Sequence, residues 1–538
     1  MTLKAFMAAL RPPGSMSDGA GKPPVVIVPE QTSITSGTDV QEKLISASQV
    51  FSNLLKPTYG PRGLDKMLYK TDGTTAVTND GAKIVAELLV KHPAAKMLVS
   101  MCESQEEACG DGVTTTMLLC GSLLQEAHTL LRKGLHPLTL VDGYRTALSV
   151  AISQMDDDSQ QATEDKVLSV AETALRGKGA EAALDEFSSL AVEALSAVSD
   201  NGEPARAEQV AMFKSAKNSI RDSKLIRGIA IRRRVPLDGL PNHLRDAAVA
   251  ILGGELKVRP MTRDAQIQIS SADQLNDFID AEKSRKGEIA EAIIASGAEV
   301  VLCGGEIDRE ILHRLADEDI LVIGELDESE LRNASDATGS KVVDSVLDIS
   351  SGDLGKCGSL VWERNEATDM VEDIIRIDGC ESPRVVTIEV GGDGKEATEE
   401  VIRGIHDALR ATSLALEDDE VLPGGGCSHS RMADAVRRAA EEEPGRARLA
   451  MDAFARALEV VPATLVENAG GDPLDSVLDL RASARSGESM IGITAAGSVG
   501  SVDGAWHPRA VIQDGLESAT ETAMSMLRID QVISSRGD

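Results

Sequence analysis

The chain has 538 residues, 42% of them hydrophobic but only 2% aromatic, and 87 acidic residues against 55 basic ones leave a formal net charge of −32. At roughly 150 residues per domain this length gives about three to four folding units with largely aliphatic cores, while so acidic a surface argues against broad nucleic-acid or membrane binding, because it repels phosphate backbones and anionic headgroups. It suits a salt-rich cytoplasm, where a Debye length of about 3 Å at ~1 M salt screens self-repulsion; an ordinary acidic cytosolic protein is the other reading.

Residues 1–35 are rich in Pro, Gly, Ser and Thr and read as a loose, flexible arm. The opening apolar run is short and broken by Pro12 and Pro13, unlike a signal peptide. Without an 18-residue apolar stretch anywhere, a soluble, cytoplasmic protein is expected. From Asp39 the pattern is helical, with Leu44, Ala47, Val50 and Leu54 on one stripe. A Gly/Pro break follows at Tyr59-Gly60-Pro61-Arg62-Gly63, then short β-like and turn segments ending in Thr78-Asn79-Asp80-Gly81. A long helical block is expected from about Ala82, interrupted at Gly110-Asp111-Gly112. Beyond the break, Val113, Met117, Cys120, Leu124, Ala127 and Leu131 recur at steps of four and three. They form one face of a helix of about twenty residues, closed by Gly134 and Pro137. Residues 140–200 read as helical, acidic and alanine-rich, with an interruption at Gly177-Lys178-Gly179.

The middle third changes character. Ile229-Ala230-Ile231, Ala248–Leu252, Val300-Val301-Leu302 and Ile320–Ile323 are short apolar runs alternating with helical segments such as Glu288–Ala295 and Glu306–Leu315. Such alternation predicts a compact α/β domain over about residues 222–368. Within it, Met261–Ile289 is polar and charged apart from Leu275, Phe278 and Ile279, and reads as a projecting, partly mobile excursion. From about Glu396 the chain is helical again, broken by Pro423-Gly424-Gly425-Gly426 and Gly470–Pro473. Helix-rich, then α/β, then helix-rich is the pattern of a domain inserted into a split one. The seven cysteines (Cys102, Cys109, Cys120, Cys303, Cys357, Cys380, Cys427) form no Cys-x-x-Cys pair or zinc spacing and read as reduced, buried residues.

Five segments are candidates for chemistry, of which Tyr59–Gly63 is by itself a loop and could face a phosphate. Gly110–Thr116 opens a strong helix, where close-approaching glycines, free amides and the hydroxyls of Thr114 and Thr115 could hold a phosphate. Asp111 would oppose an anion there unless a cation such as Mg²⁺ lay between; an Asp-Gly turn with a helix cap is the equal alternative. Asp80 in Thr78–Gly81 is by itself a helix cap or a ligand. The glycines Gly424–Gly426 destabilise both flanking helices unless something, such as a nucleotide ring, packs on their backbone. Asp407, at the edge of the stripe Val401, Ile405, Ala408 and Thr412, is either solvated or placed to orient a water near a γ-phosphate.

In order, these segments resemble those of the group II chaperonins, the archaeal thermosomes in particular. Thr58–Met67 is similar to T-L-G-P-K-G-M-D-K-M, Thr78–Ala82 to T-N-D-G-A, His92–Met97 to H-P-A-A-K-M and Gly110–Thr116 to the G-D-G-T-T loop. Val421–Gly426 is similar to V-V-P-G-G-G, Asp472–Ala482 to D-P-I-D-V-L-x-E-L-R-A and Met526–Ile533 to I-L-R-I-D-D-V-I. The likeness extends over about residues 35–535, and the acidity suits a haloarchaeal-like paralogue. It implies a multidomain α and α/β chaperonin fold. A split helical equatorial ATPase domain would take 36–160 and 411–538, and a split intermediate hinge 161–222 and 369–410. An inserted α/β apical domain would take 223–368, with a helical protrusion near 261–289. The resemblance implies an ATP-dependent folding machine with ATP and Mg²⁺ as cofactors. Its partners would be unfolded client proteins and like or paralogous subunits in a stacked double ring. By the same likeness, Mg²⁺–phosphate ligation falls on Asp80 and Asp111 and water activation on Asp407, with Asp80 and Asp407 as the catalytic residues. Phosphate-loop contacts fall on Gly60, Gly112, Thr114 and Thr115, further nucleotide contacts on Thr58, Gly110 and Asp111, γ-phosphate sensing on Lys178, nucleotide backing on Gly425, and adenine lining on Ala495 and Ala496.

The chain departs from the family pattern in places. Val113 stands where the loop's first Thr is usual, Tyr59 replaces a Leu, and His507-Pro508 replaces Glu-Pro, removing a ribose-facing carboxylate. A weakly active or inactive structural ring subunit is therefore the alternative function. A small-molecule kinase is a further one, but the α/β segment offers no obvious catalytic cluster for it.

Overall fold

A computed structural model describes residues 32–36, 38–69, 73, 75–90, 92–179, 181–199, 204–215, 219–258, 272–365, 372–392 and 395–535. The chain divides into two compact units. In the smaller, residues 1–42 and 529–538, Thr32–Ser36 pairs antiparallel with Gln531–Ser535, Thr32 opposite Ser535. The arm read over 1–35 thus ends in a strand. Its backbone groups find partners near the far end of the chain, which no local pattern announces. Residues 1–31 of that arm lie outside the described residues.

The larger unit, Lys43–Arg528, begins inside the helix Thr38–Leu55. That helix buries Leu44, Ile45, Ser48, Phe51 and Leu55, whereas Val50 is 66% exposed, so the stripe expected through Val50 is rotated. The cause is close helix approach: a Cβ at Gly121 would stand 2.7 Å from Ser52 Cβ, so small serines occupy the contact. Ser48 is satisfied by the Ile45 carbonyl at 2.7 Å. The helical block expected from Ala82 is in fact two helices, Gly81–Ala86 and Pro93–Cys109, because Pro93 lacks an amide proton and starts a helix capped by His92. The next helix, Val113–Arg132, runs for the expected twenty residues and buries Val113, Met117, Cys120, Leu124 and Ala127. It packs against Ala447–Leu458 and Arg509–Leu527, both of which also pack on Pro137–Asp158. Tyr144 and Phe454 meet edge to face at 5.6 Å, and the Tyr144 hydroxyl donates to the Leu123 carbonyl at 2.7 Å. In a chain so poor in aromatics, this pair supplies the largest buried surfaces of the bundle.

A second cluster joins the helices Glu164–Leu175, Leu184–Val198 and Lys395–Asp418 to a three-stranded sheet. In that sheet Val386–Gly391 lies between Val210–Ser215, parallel, and Lys224–Ile226, antiparallel. Phe187, Leu195, Ile388, Val401 and Ile405 fill the layer between. The middle third is a seven-stranded mixed sheet. Across it run Leu321–Ile323, Val300–Cys303, His243–Leu252, Gly355–Asn365, Glu372–Asp378 and Ile229–Arg233, with Val342–Val343 beside His243–Leu252. Each apolar run expected to be a strand is one, and both sheet faces are covered. Val249, Ile251, Val300 and Leu302 point into one core cluster, while Ala250, Leu252, Val301 and Cys303 point into another. Burial on both faces is why these strands read as continuous rather than alternating apolar runs. Of the excursion expected over 261–289, residues 261–271 and the Leu275 side chain lie outside the described residues. The remainder belongs to a helix, Ala272–Ser296, on which Phe278 and Ile279 are exposed. All seven cysteines are buried and free. Among the described residues no helix is long and apolar enough to cross a membrane.

One buried ion pair links the two sheets. Arg376 donates to both carboxylate oxygens of Glu389, at 2.8 and 2.7 Å, and the Glu389 side chain is only 1% exposed. Burial would raise the Glu389 pKa, but the hydrogen bonds and charge of Arg376 outweigh it and hold the group below its ordinary value. Replacing Glu389 with Gln should therefore cost roughly 2–4 kcal/mol of unfolding free energy at pH 7, because Arg376 loses its bidentate buried partner and keeps only the more exposed Glu363 at 3.3 Å. A depressed folded pKa stabilises above the ordinary Glu value of ~4.3 and ceases to do so as pH falls through the depressed value. The gap between wild type and variant in urea denaturation should accordingly be full at pH 7 and close in acid.

Candidate functional site

One cavity in the larger unit gathers segments that are far apart in sequence: 58–62, 79–81, 110–116, 176–178, 423–426 and 493–495, together with Asp407. Its floor is the start of the helix Val113–Arg132. Gly112 caps that helix with φ +87°, and a Cβ there would stand 2.9 Å from Val511 and 3.0 Å from Gln105 Nε2, so only glycine fits. Gln105 braces the turn by donating to the Asp111 carbonyl at 3.0 Å. The Asp111 carboxylate accepts from the Gly112 amide at 2.7 Å. Asp80 caps the helix Gly81–Ala86 through the Ala82 amide at 2.9 Å, while its other oxygen lies 3.9 Å from Arg403. Asp80 is therefore a cap and a cavity carboxylate at once.

Asp407 projects from the helix Lys395–Asp418 and is 8% exposed. Lys178, in the break between the helices Glu164–Leu175 and Leu184–Val198, holds it at 2.6 Å. Burial, with the carboxylates of Asp80 and Asp111 nearby, raises the Asp407 pKa against the pull of Lys178. Lys178 stays an ammonium: burial opposes its charge, but Asp407 and Asp111 raise its pKa by more.

The hydroxyls are already engaged. Thr58 donates to the Leu55 carbonyl at 2.7 Å, and Thr115 donates to the Tyr59 hydroxyl at 3.2 Å. Thr114 lies against the Thr78–Gly81 turn, its oxygen 2.3 Å from where a Cβ on Gly81 would stand. The triple glycine has a partner within the protein. Gly425 adopts φ +60°, accepts from the Ile493 amide at 2.7 Å, and could carry a Cβ only 2.5 Å from the Ile493 carbonyl oxygen. Backbone packing against the Ile491–Ile493 strand thus demands a glycine there whether or not a ring packs on it. Ala495 lines the cavity and accepts from Arg62 at 3.3 Å, whereas Ala496 is exposed and off its wall.

Two titratable cavity residues, Glu106 and His429, escaped the sequence reading. Glu106, one helical turn before Gly110, has its pKa raised by burial and then by Asp80 and Asp111. His429, one turn past the triple glycine, is 5% exposed with an unpartnered Nε2, and burial beside His507 lowers its pKa to about 3. Their only signal was spacing from a glycine turn, which marks many structural residues as well. Burial also lowers His507, which sits opposite Leu422 in a short antiparallel pair.

Among the described residues no group of three or more His, Cys, Asp or Glu side chains could enclose a metal. Two carboxylates facing a cavity that opens on a helix start instead suit Mg²⁺, which keeps waters and takes the rest of its shell from phosphate oxygens.

The model of the TCP-1/cpn60 chaperonin family matches residues 51–536. Thermosome subunit 1 of Haloferax volcanii is 37% identical over 516 residues, covering 95% of this chain and 91% of that protein. Thermosome subunit alpha of Archaeoglobus fulgidus is 36% identical over 523 residues, 96% of this chain and 95% of that one. Thermosome subunit alpha of Halobacterium salinarum is also 36% identical, over 524 residues and 96% and 92% of the two chains.

Substituting Gly425 with Ala should lower the stability of the ligand-free protein by roughly 1–3 kcal/mol, the scale of one strained left-handed residue. An unchanged thermal melt would mean that the Ile493 contact yields without cost.

Proposed function

The chain belongs to the TCP-1/cpn60 chaperonin family, and from that premise we propose how its residues divide the work. It is an ATP-dependent group II chaperonin subunit, an ATPase whose turnover drives the folding of other proteins. The observation that carries our assignment of roles is the convergence of Asp80, Asp111, Asp407 and Lys178 on the cavity floored by the glycine-flanked helix start.

The phosphates of ATP face Gly110–Thr115 with Thr58 and Gly60 beside them, and the adenine lies toward Ala495, with Gly425 backing the nucleotide. Asp80 and Asp111 would hold Mg²⁺, which would offset charge on the phosphate oxygens. Asp407 orients the attacking water and takes its proton, a task that a carboxylate with a raised pKa performs better than a solvated one. Lys178 is shared between Asp407 and the γ-phosphate. Arrival of that phosphate draws the ammonium away and frees the carboxylate.

The residues around 161–222 and 369–410 act as the hinge, and 223–368 as the client-binding domain. Phe278 and Ile279, exposed on their helix, lie at the closing and client-contacting end. The chain assembles with itself or with paralogues into a stacked double ring, in the cytoplasm. Its net charge of −32 suits a salt-rich one and a haloarchaeal-like paralogue. Retention of all three aspartates in one cavity speaks against the weakly active alternative.

Purified in high KCl, the protein should form a particle of many subunits that releases phosphate from Mg-ATP. Replacing Asp407 with Ala should cut that release by roughly 10²–10⁴-fold while nucleotide binding persists. A small particle without turnover would overturn the functional reading, and undiminished release by the variant would overturn the role of Asp407.

A further inference from the structure

Two of the departures from the family pattern line the same cavity. Val113, the first residue of the helix Val113–Arg132, is 4% exposed and presents methyl groups to the cavity wall where the family pattern has a hydroxyl. Tyr59 enters the same wall from the loop before Gly60. Its backbone is fixed: the carbonyl accepts from Asn468 at 2.8 Å, and the amide donates to Lys56 at 3.3 Å. Its hydroxyl accepts from Thr115, two residues after Val113, at 3.2 Å. Among the described residues no acceptor meets the proton of the Tyr59 hydroxyl itself. A cavity-wall hydroxyl that already accepts from one neighbour and has its own proton free is arranged to donate to a ligand.

We propose that Tyr59 is a phosphate-binding residue of this chain's nucleotide site, its phenol O–H giving a phosphate oxygen the hydrogen bond that Val113 cannot. The inference rests on the nucleotide reading above and adds a contact to it. The chemistry fits the surroundings. Asp80, Asp111 and Asp407 already crowd the cavity, and a cationic side chain at position 59 would pair with them rather than wait for phosphate. A phenol adds a donor without adding charge. Burial pushes Tyr59 up to about 12, so the proton is retained at working pH. The Thr115 hydrogen bond aims the phenol oxygen and links it to a loop hydroxyl, so that the helix start and the Gly60 loop grip the same anion from two sides. A leucine at this position, as in the family pattern, could fill the wall but donate nothing.

The test uses the full chain assembled in high KCl, with the affinities of Mg-ATP and of adenosine measured side by side on wild type, Tyr59→Phe, Val113→Thr and the double variant. Removing only the phenol oxygen should weaken Mg-ATP binding roughly tenfold, the scale of one hydrogen bond to a charged acceptor. Adenosine binding should not change. Val113→Thr in the Tyr59→Phe background should restore most of the lost ATP affinity, a rescue that a merely structural tyrosine would not permit. Unchanged ATP affinity in Tyr59→Phe overturns the proposal, as does equal weakening of ATP and adenosine. Failure of the double variant to recover would deny the exchange of hydroxyls between the two positions. If wild type binds ATP no more tightly than adenosine, the nucleotide reading falls instead, and the proposal with it.

Discussion

The ion pair between Lys178 and Asp407 is the constraint on which the site depends. Three aspartates share one cavity in a chain that is already strongly acidic, and taking carboxylates out of water is costly unless they are paired. Lys178 neutralises the most buried of them at 2.6 Å, while Asp80 lies 3.9 Å from Arg403. The pair also ties a loop to a helix. Lys178 sits between two helices of the second core cluster, and Asp407 rides on Lys395–Asp418, whose Val401, Ile405, Ala408 and Leu409 fill that same cluster. Any change of charge in the cavity therefore acts on a packed element rather than on a free side chain.

A second buried pair carries that linkage onward. Glu389 stands on the central strand of the small sheet beside that cluster, and Arg376 on a strand of the seven-stranded sheet. The bidentate contact fixes both the distance and the orientation between the sheets, as a lone lysine could not. Two short stretches of backbone, 226–229 and 378–386, run directly between strands of the two sheets. In the proposed machine, such a short double connection with one ionic strut is where a rotation between the domains would be borne.

Much of this was legible beforehand, and the exceptions have physical causes. The helix Val113–Arg132 announced itself because one side faces a bundle and the other is less buried, so its period survives in the residue types. The strands at 249–252, 300–303 and 321–323 were visible as unbroken apolar runs, since both faces of their sheet are covered. Val50 misled because the helix before it buries serines against Gly121, a contact decided by backbone approach rather than hydrophobicity. Gly355–Asn365 and Glu372–Asp378, two long strands at the other side of the sheet, carry charged residues such as Arg364 and Asp373 and did not stand out. Those charges are paired with one another, which local sequence cannot express.

By itself the sequence determined the order of motifs, the family they belong to, the aliphatic cores and the residues of the cavity that stand in recognisable turns. Each of these follows from short-range pattern: glycine turns, helical period, apolar runs. Only the tertiary structure decided what those residues do to one another. It brought Lys178 within 2.6 Å of Asp407 across 229 positions of sequence, and Tyr59 to Thr115 across 56. It pressed Gly425 against Ile493, left the His429 Nε2 without a partner, and moved Ala496 off the wall that Ala495 joins. The reason is that charge, hydrogen bonding and steric fit depend on separations of a few ångströms, and the chain sets those only by folding distant segments onto a common core.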